Sequence, residues 1–495
     1  MADQTKLIQV HPNDNVAVST MALPAGTIVD TLSVTLGSDT PAGHKVALSD
    51  IAAGEKVVKY GFAIGIAQAD IKRGDHVHSH NLKTALSGQE NYQYEPVAAR
   101  KPVTKPAQAS FTGYRRANGK VGIRNEVWII NTVGCVNRTA ERIAAECERR
   151  FFGECDGFRS FTHPFGCSQL GDDLHDTQTI LASLASHPNA GAVLIVGLGC
   201  ENNQLSNLLE KVDRPASQIR YFNSQQVGDE IEEGIRLIHE MLADVGKCTR
   251  EPIDGSELVL GVKCGGSDAF SGITANPLVG RMTDLMVKQN GSVLQTETPE
   301  MFGAEQLLMN RATSQAVFCE IVELVNEFKQ YFIDNNQPIY ENPSPGNKAG
   351  GLTTLEEKSL GAVQKGGQAP VNGVLQYGEP LSKKGLNLLQ APGNDAVSST
   401  ALAASGAHII LFTTGRGTPL GFPVPTVKIS SNSEIAHKKP HWIDFNAGQI
   451  LQGTSIDDCA AQLYQQCLNI ASGEKTCNEK NGSHEIAIWK RGVTL

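Results

Sequence analysis

The chain has 495 residues, 40% hydrophobic and 19% charged, the composition of a soluble globular protein too long for one core. Its formal net charge of −9 argues against a broad basic face, and so against a nucleic-acid or anionic-membrane partner. Eleven cysteines, an odd count, speak against a disulfide framework and for a reducing, cytoplasmic setting. The opening Met-Ala-Asp-Gln-Thr-Lys has no signal-peptide core, and no apolar run approaches the roughly 20 residues that span a bilayer.

Residues 1–97 read as a small all-β module. Leu23-Pro-Ala-Gly26-Thr-Ile-Val29, Ile51-Ala-Ala-Gly54-Glu-Lys-Val57 and Ile71-Lys-Arg-Gly74-Asp-His-Val77 repeat one pattern, a glycine turn feeding a strand. The module closes on His76-Val-His78-Ser-His80-Asn81. If that segment is extended, alternate residues share a face and three imidazoles line up. Neutral imidazole ligates first-row metals; the plain alternative is a polar, solvent-facing strand edge.

Residues 98–112 carry two prolines and no periodicity, and read as a linker. From 113 to 250 strands alternate with helices, which implies a mostly parallel sheet. Helical spacing covers 138–151 and 229–242. A boundary at Pro252–Gly255 opens a second α/β segment over 251–380, and a third follows over 381–495. The turn-rich stretch 335–354 is a loop long enough to be functional. The fold class is therefore α/β: an N-terminal all-β domain, then two Rossmann-like, mostly parallel units.

Four apolar segments run into a glycine-cysteine corner. They end at Gly134-Cys135, Gly166-Cys167, Gly199-Cys200 and Cys264-Gly265. Open α/β sheets bind ligands outside the carboxyl ends of their strands. Four sulfurs at strand ends are thus candidate ligands for iron or a similar metal, singly or as an iron–sulfur cluster. A buried, inert thiol is the plain alternative for each. The other seven cysteines lack this setting and read mostly as packing residues.

Arg416, in Gly415-Arg-Gly417, follows a strand and suits carboxylate recognition. Lys348 lies in the long loop and has the chemistry of a base. Asp268 is a hard oxygen ligand or base by type. Gly197-Leu-Gly199 lacks the third glycine of a dinucleotide fingerprint, so no nicotinamide site is expected. His437-Lys-Lys-Pro-His441 contains a proline that breaks the helix a zinc pair would need.

Phe165-Gly-Cys-Ser-Gln-Leu-Gly-Asp-Asp173, Gly197-Leu-Gly-Cys-Glu-Asn-Asn-Gln204, Lys263-Cys-Gly-Gly-Ser-Asp268, Ile339-Tyr-Glu-Asn-Pro-Ser-Pro-Gly-Asn-Lys-Ala-Gly-Gly351 and Thr413-Thr-Gly-Arg-Gly-Thr-Pro419 resemble the altronate/galactarate dehydratase family over essentially the whole chain. The resemblance implies a β-clip, SAF-type first domain and a dehydratase body. It implies dehydration of D-altronate to 2-dehydro-3-deoxy-D-gluconate in hexuronate catabolism, with galactarate or another sugar acid as the alternative. It also implies ferrous iron or manganese; a sugar-acid binding protein without turnover is the non-enzymatic alternative. No nucleic-acid or membrane partner is implied, and a homo-oligomer is left open.

Set against the needs of that reaction, motif positions suggest roles. His78 and His80 would hold the metal, with one or more of Cys135, Cys167, Cys200 and Cys264. Arg416 would clamp the substrate carboxylate, and Asp268 is a further catalytic candidate. His163 or Lys348 would carry the proton. The β module should then fold back over the crevice of the body.

Overall fold

A computed structural model of the chain describes residues 6–97 and 109–495. The glycine repeat builds the first domain. Gly26, Gly54 and Gly74 all take positive φ, and a Cβ at Gly74 would stand 2.1 Å from the Thr35 carbonyl oxygen, so the turn excludes any side chain there. Strands Leu7–Ile8, Val16–Ser19, Lys45–Ala47 and His76–Val77 form one antiparallel sheet. Lys56–Lys59, Phe62–Ala67 and Leu82–Lys83 form another.

The second domain carries four parallel strands in the spatial order Phe158–Phe161, Glu126–Asn131, Ala190–Gly197, Ile219–Asn223. Its central strands are buried on both faces. Val127, Ile129 and Leu194 pack on the helices Asn137–Arg150 and Glu230–Val245, while Trp128, Ile130 and Ile195 join the core shared with the third domain. This two-sided burial explains why the strands read as unbroken apolar runs. The sequence order is 2-1-3-4, so the order in which strands are added across the sheet reverses between the Glu126 and Ala190 strands.

The third domain is one seven-stranded parallel sheet, ordered Val371–Leu375, Gly385–Leu389, Ser292–Gln295, Val259–Cys264, Ile409–Thr414, Thr426–Ser430, Phe445–Asn446. Segments 251–380 and 381–495 thus share one sheet. Parallel strands need long crossovers, so sheet neighbours come from distant sequence. Ser110–Arg115, expected to be the end of the linker and the start of the next unit, is a strand pairing with Glu251–Asp254 across the expected boundary at 250. The remainder of that expected linker, 98–108, lies outside the described residues.

The β module docks on the third domain through three buried charges. Lys45 Nζ meets Glu357 Oε2 at 2.8 Å, Lys59 Nζ meets Glu357 Oε1 at 2.8 Å, and all three side chains have zero exposure. Glu357 also accepts from the Thr353 N–H and hydroxyl, and Lys45 donates to the Gly351 carbonyl. Burial by itself would raise the Glu357 pKa; the two ammonium groups outweigh it and hold the carboxyl well below its usual range. The stability this pairing contributes is therefore present above the unfolded carboxylate pKa and fades as pH falls below it. We expect Glu357→Gln, which leaves two buried lysines underpaired, to cost about 3–5 kcal/mol in urea unfolding. Its loss should also flatten the acid side of the stability–pH curve.

Candidate active site

In the third domain the strand order reverses between the Val259–Cys264 and Ile409–Thr414 strands, which places a crevice beyond their carboxyl ends. The loops that follow are Gly265–Asp268 and Gly415–Arg416. A cavity of about 570 Å3 opens there, lined by Asp268, Gly350, Arg416, Asn432 and Lys438 from the body and by Thr20 and Ala42 from the β module. The module thus forms one wall of the cavity, as its expected return over the body requires.

Asp268 organises this floor. It is buried and accepts from the Ser271 N–H and hydroxyl, from the Ser431 hydroxyl at 2.8 Å and from the Asn432 amide at 3.1 Å. Asn432 also donates to the Gly415 carbonyl, so Asp268 and the arginine loop are fixed together. Burial raises the Asp268 pKa, and its donors oppose that rise. Arg416 is exposed and donates from Nη1 to the Gly346 carbonyl at 3.1 Å. The rest of its planar fork is not engaged by that bond. Gly346 and Lys348 belong to the short helix Pro345–Ala349, which Ser344 caps inside the long loop.

Beside this junction stand three histidines. His44, His76 and His78 present ring nitrogens that all lie within 4.8 Å of one another. His44 Nδ1 is 2.9 Å from His76 Nε2, and His44 Nε2 is 3.4 Å from the Ala349 carbonyl. His78 Nδ1 is buried without a hydrogen-bond partner. Burial, then the neighbouring positive groups, pushes His76 and His78 down to about 4, so both are neutral near pH 7. Neutral, converging imidazoles with one unsatisfied nitrogen fit a first-row divalent ion.

This group shares only His78 with the expected ligands, which were His78 and His80 with one or more cysteines. His80 falls outside it, because the strand stops at Val77 and the Asn81 side chain folds 78–81 into a turn, accepting from the His78 N–H and donating to the His76 carbonyl. His76 enters instead, and with it His44. Thr40-Pro-Ala-Gly43-His-Lys-Val46 is a further copy of the module's repeat, and that was the available signal for it. No cysteine sulfur joins the three nitrogens within 4.8 Å.

The cysteines divide. Cys264 is buried on the third-domain sheet, whereas Cys135, Cys167 and Cys200 are exposed on the second-domain sheet, so the four do not share one crevice. Cys264 groups with Glu297 and Glu300, but lysines already take the place of a cation. Lys365 Nζ lies 3.2 Å from the sulfur, Lys358 Nζ 2.7 Å from Glu300, and Lys263 Nζ 3.1 Å from Glu297. Burial pushes the Cys264 thiol up to about 12, and it donates to Glu300 as a neutral group.

His163 is buried as well. Its Nε2 pairs with the Asn131 carbonyl at 2.8 Å and its Nδ1 accepts from the Phe165 N–H at 3.2 Å. Burial lowers it to about 4. Both nitrogens serve the backbone and neither is left for a substrate, so the structure argues against the expected proton-carrying role. His163 shapes the Cys167 corner.

Family models match the chain in three consecutive blocks: the altronate/galactarate dehydratase SAF domain over 5–85, the second domain of D-galactarate dehydratase/altronate hydrolase over 113–246, and the D-galactarate/altronate dehydratase C-terminal domain over 255–494. Altronate dehydratase of Escherichia coli (strain K12) is 52% identical over 497 residues, and that of Bacillus subtilis (strain 168) 49% over 498, each match covering 99% of both chains. Galactarate dehydratase (L-threo-forming) of Escherichia coli (strain K12) is 34% identical, covering 97% of this chain and 96% of its own. The block order reproduces the three structural units, the likeness runs end to end, and the chain belongs to the altronate/galactarate dehydratase family.

Proposed function

We propose that this chain dehydrates D-altronate to 2-dehydro-3-deoxy-D-gluconate, at the cavity between the β module and the Asp268–Arg416 floor. One observation carries the placement. The crevice at the strand reversal, the arginine loop and the three-histidine group meet at a single domain junction. The cavity volume falls within the roughly 300–1,000 Å3 of small-ligand sites. The identity with altronate dehydratases, 52% and 49%, against 34% with a galactarate dehydratase, favours altronate.

The reaction removes the proton at C2 and the hydroxyl at C3. The C2 proton is a very weak acid beside a carboxylate, and its loss places further negative charge on that end of the substrate. In this reading Arg416 holds the carboxylate through the donors that Gly346 leaves free, and Asp268, through Asn432, fixes the loop that aims it. Lys348 moves the proton, its helix running directly into the Ala349 carbonyl that meets His44. His44, His76 and His78 hold a divalent ion, with ferrous iron favoured over manganese by the all-imidazole donor set. Such an ion supplies Lewis-acid stabilisation of the developing charge and of the departing hydroxyl. All eleven cysteines are free, which supports the reducing, cytoplasmic setting of the same reading.

The test is an anaerobic assay of iron-loaded protein with D-altronate and galactarate in parallel, scoring 2-keto-3-deoxy acid. Product from altronate in excess is expected; none from altronate would overturn the proposal. Arg416→Lys should lower kcat/KM about 100-fold, mainly through KM, because an ammonium cannot reproduce the planar fork. Lys348→Met should lower kcat with little change in KM. His78→Ala should reduce bound metal measured by plasma emission. By contrast, His163→Gln should destabilise the fold by about 1–3 kcal/mol and leave kcat of the folded protein near that of the parent.

A further inference from the structure

The second domain has a strand reversal of its own, and it is not empty of chemistry. The reversal lies between the Glu126–Asn131 and Ala190–Gly197 strands, with Phe158–Phe161 on the outer side of the first. Cys135, Cys167 and Cys200 sit just beyond the carboxyl ends of these three adjacent strands. Each follows a glycine that lets its loop press against a neighbour. A Cβ at Gly134 would lie 2.9 Å from the His163 carbonyl oxygen, one at Gly166 2.1 Å from the Thr132 carbonyl oxygen, and one at Gly199 2.9 Å from Gln225 Oε1. The loops are also bonded together: Gly134 N–H to the Phe165 carbonyl, Asn203 N–H to the Gly166 carbonyl, and Ser168 N–H to Asn202 Oδ1, at 2.7–2.9 Å. The scaffold is therefore rigid, while all three thiols are exposed.

Helix ends favour negative charge here. The 14-residue helix Asn137–Arg150 begins two residues after Cys135, and the 15-residue helix Gly171–Ala185 begins four residues after Cys167. Glu201, the nearest acid to Cys200 in sequence, is committed to Thr132 and to the Leu198 and Gly199 N–H groups. The spacing speaks to the kind of ligand. Around one tetrahedral ion, with metal–sulfur bonds of about 2.3 Å, thiolates stand about 3.8 Å apart. These three sulfurs do not all lie within 4.8 Å of one another. That excludes one ion held by all three thiols and leaves a multi-atom cluster as the metal group they could share.

We propose that Cys135, Cys167 and Cys200 hold an iron–sulfur cluster of the three-cysteine, cubane type. It is a second metal centre, independent of the histidine group, with one iron left without a protein ligand. Its thiolates come from three loops that only the folded sheet brings together, at the position where an α/β domain binds its ligand.

The test uses full-length protein purified anaerobically from iron-replete cells. The expected result is a visible charge-transfer band, with iron and acid-labile sulfide in a ratio of about one to one. Each of Cys135→Ser, Cys167→Ser and Cys200→Ser should lose the band and the sulfide while keeping the parent circular dichroism. His78→Ala should keep both, which separates failure of the cluster from failure of the histidine site. Alkylation gives a reading without any variant. In the holoprotein the three thiols should react about tenfold or more slowly than exposed Cys319, and should match it after chelation and oxidation. Absence of sulfide, labelling of the three at the Cys319 rate before chelation, or a disulfide between any two of them in the anaerobic protein would overturn the proposal.

Discussion

The arrangement of the site depends on the buried contact of Lys45 and Lys59 with Glu357. An unpaired charge in that position would cost several kcal/mol, so the β module has one low-energy seat on the body. The same contact fixes everything near it. Lys45 lies next to His44 in the chain, and Gly351, which accepts from Lys45, closes the loop that holds Lys348 and Ala349. The same contact therefore holds the two halves of the candidate site together. The module brings imidazoles, the body brings the arginine loop and its carboxylate anchor, and the cavity exists only where the two meet.

Buried ion pairs recur through the body with the same logic. Arg124 and Glu479 join the second and third domains with almost no exposure, and Asp173 receives the backbone N–H groups of Arg491 and Gly492 near the chain end. The Lys263, Lys358 and Lys365 set neutralises the acids around Cys264. That set looks like a metal site by donor type and reads as a salt-bridge network once the ammonium groups are placed. A count of candidate ligands is thus a poor guide without the neighbouring cations.

Much was legible in the chain. Largely apolar runs leading to a glycine corner gave the strands that end at Asn131, Gly197 and Cys264, because strands buried on both faces need mostly apolar side chains, whereas the edge strand Phe158–Phe161 carries half-buried Arg159 and Ser160. Glycines at a fixed place within a repeated pattern gave the β module. The long motifs gave the family. Less could be read of the site. His76, His78 and His80 look equivalent as alternating residues, but a single side chain, Asn81, turns the backbone after Val77 and removes His80. His163 looks like a proton carrier beside a cysteine corner, yet both of its nitrogens are spent on backbone groups 2 and 32 residues away.

The sequence by itself determined the elements, the family and the residue types from which a metal-assisted dehydratase is built, since periodicity, turn chemistry and motif length are local properties. Only the tertiary structure decided which of those residues meet. His44 joins His76 through an antiparallel pairing across 32 residues, and Arg416 meets the Asp268 loop because their parent strands are neighbours at a reversal of strand order. Cys264 parts from the other three cysteines for the same reason: it ends a strand of a different sheet. Sheet order is set by the crossovers, and these leave no trace in the few residues around a motif.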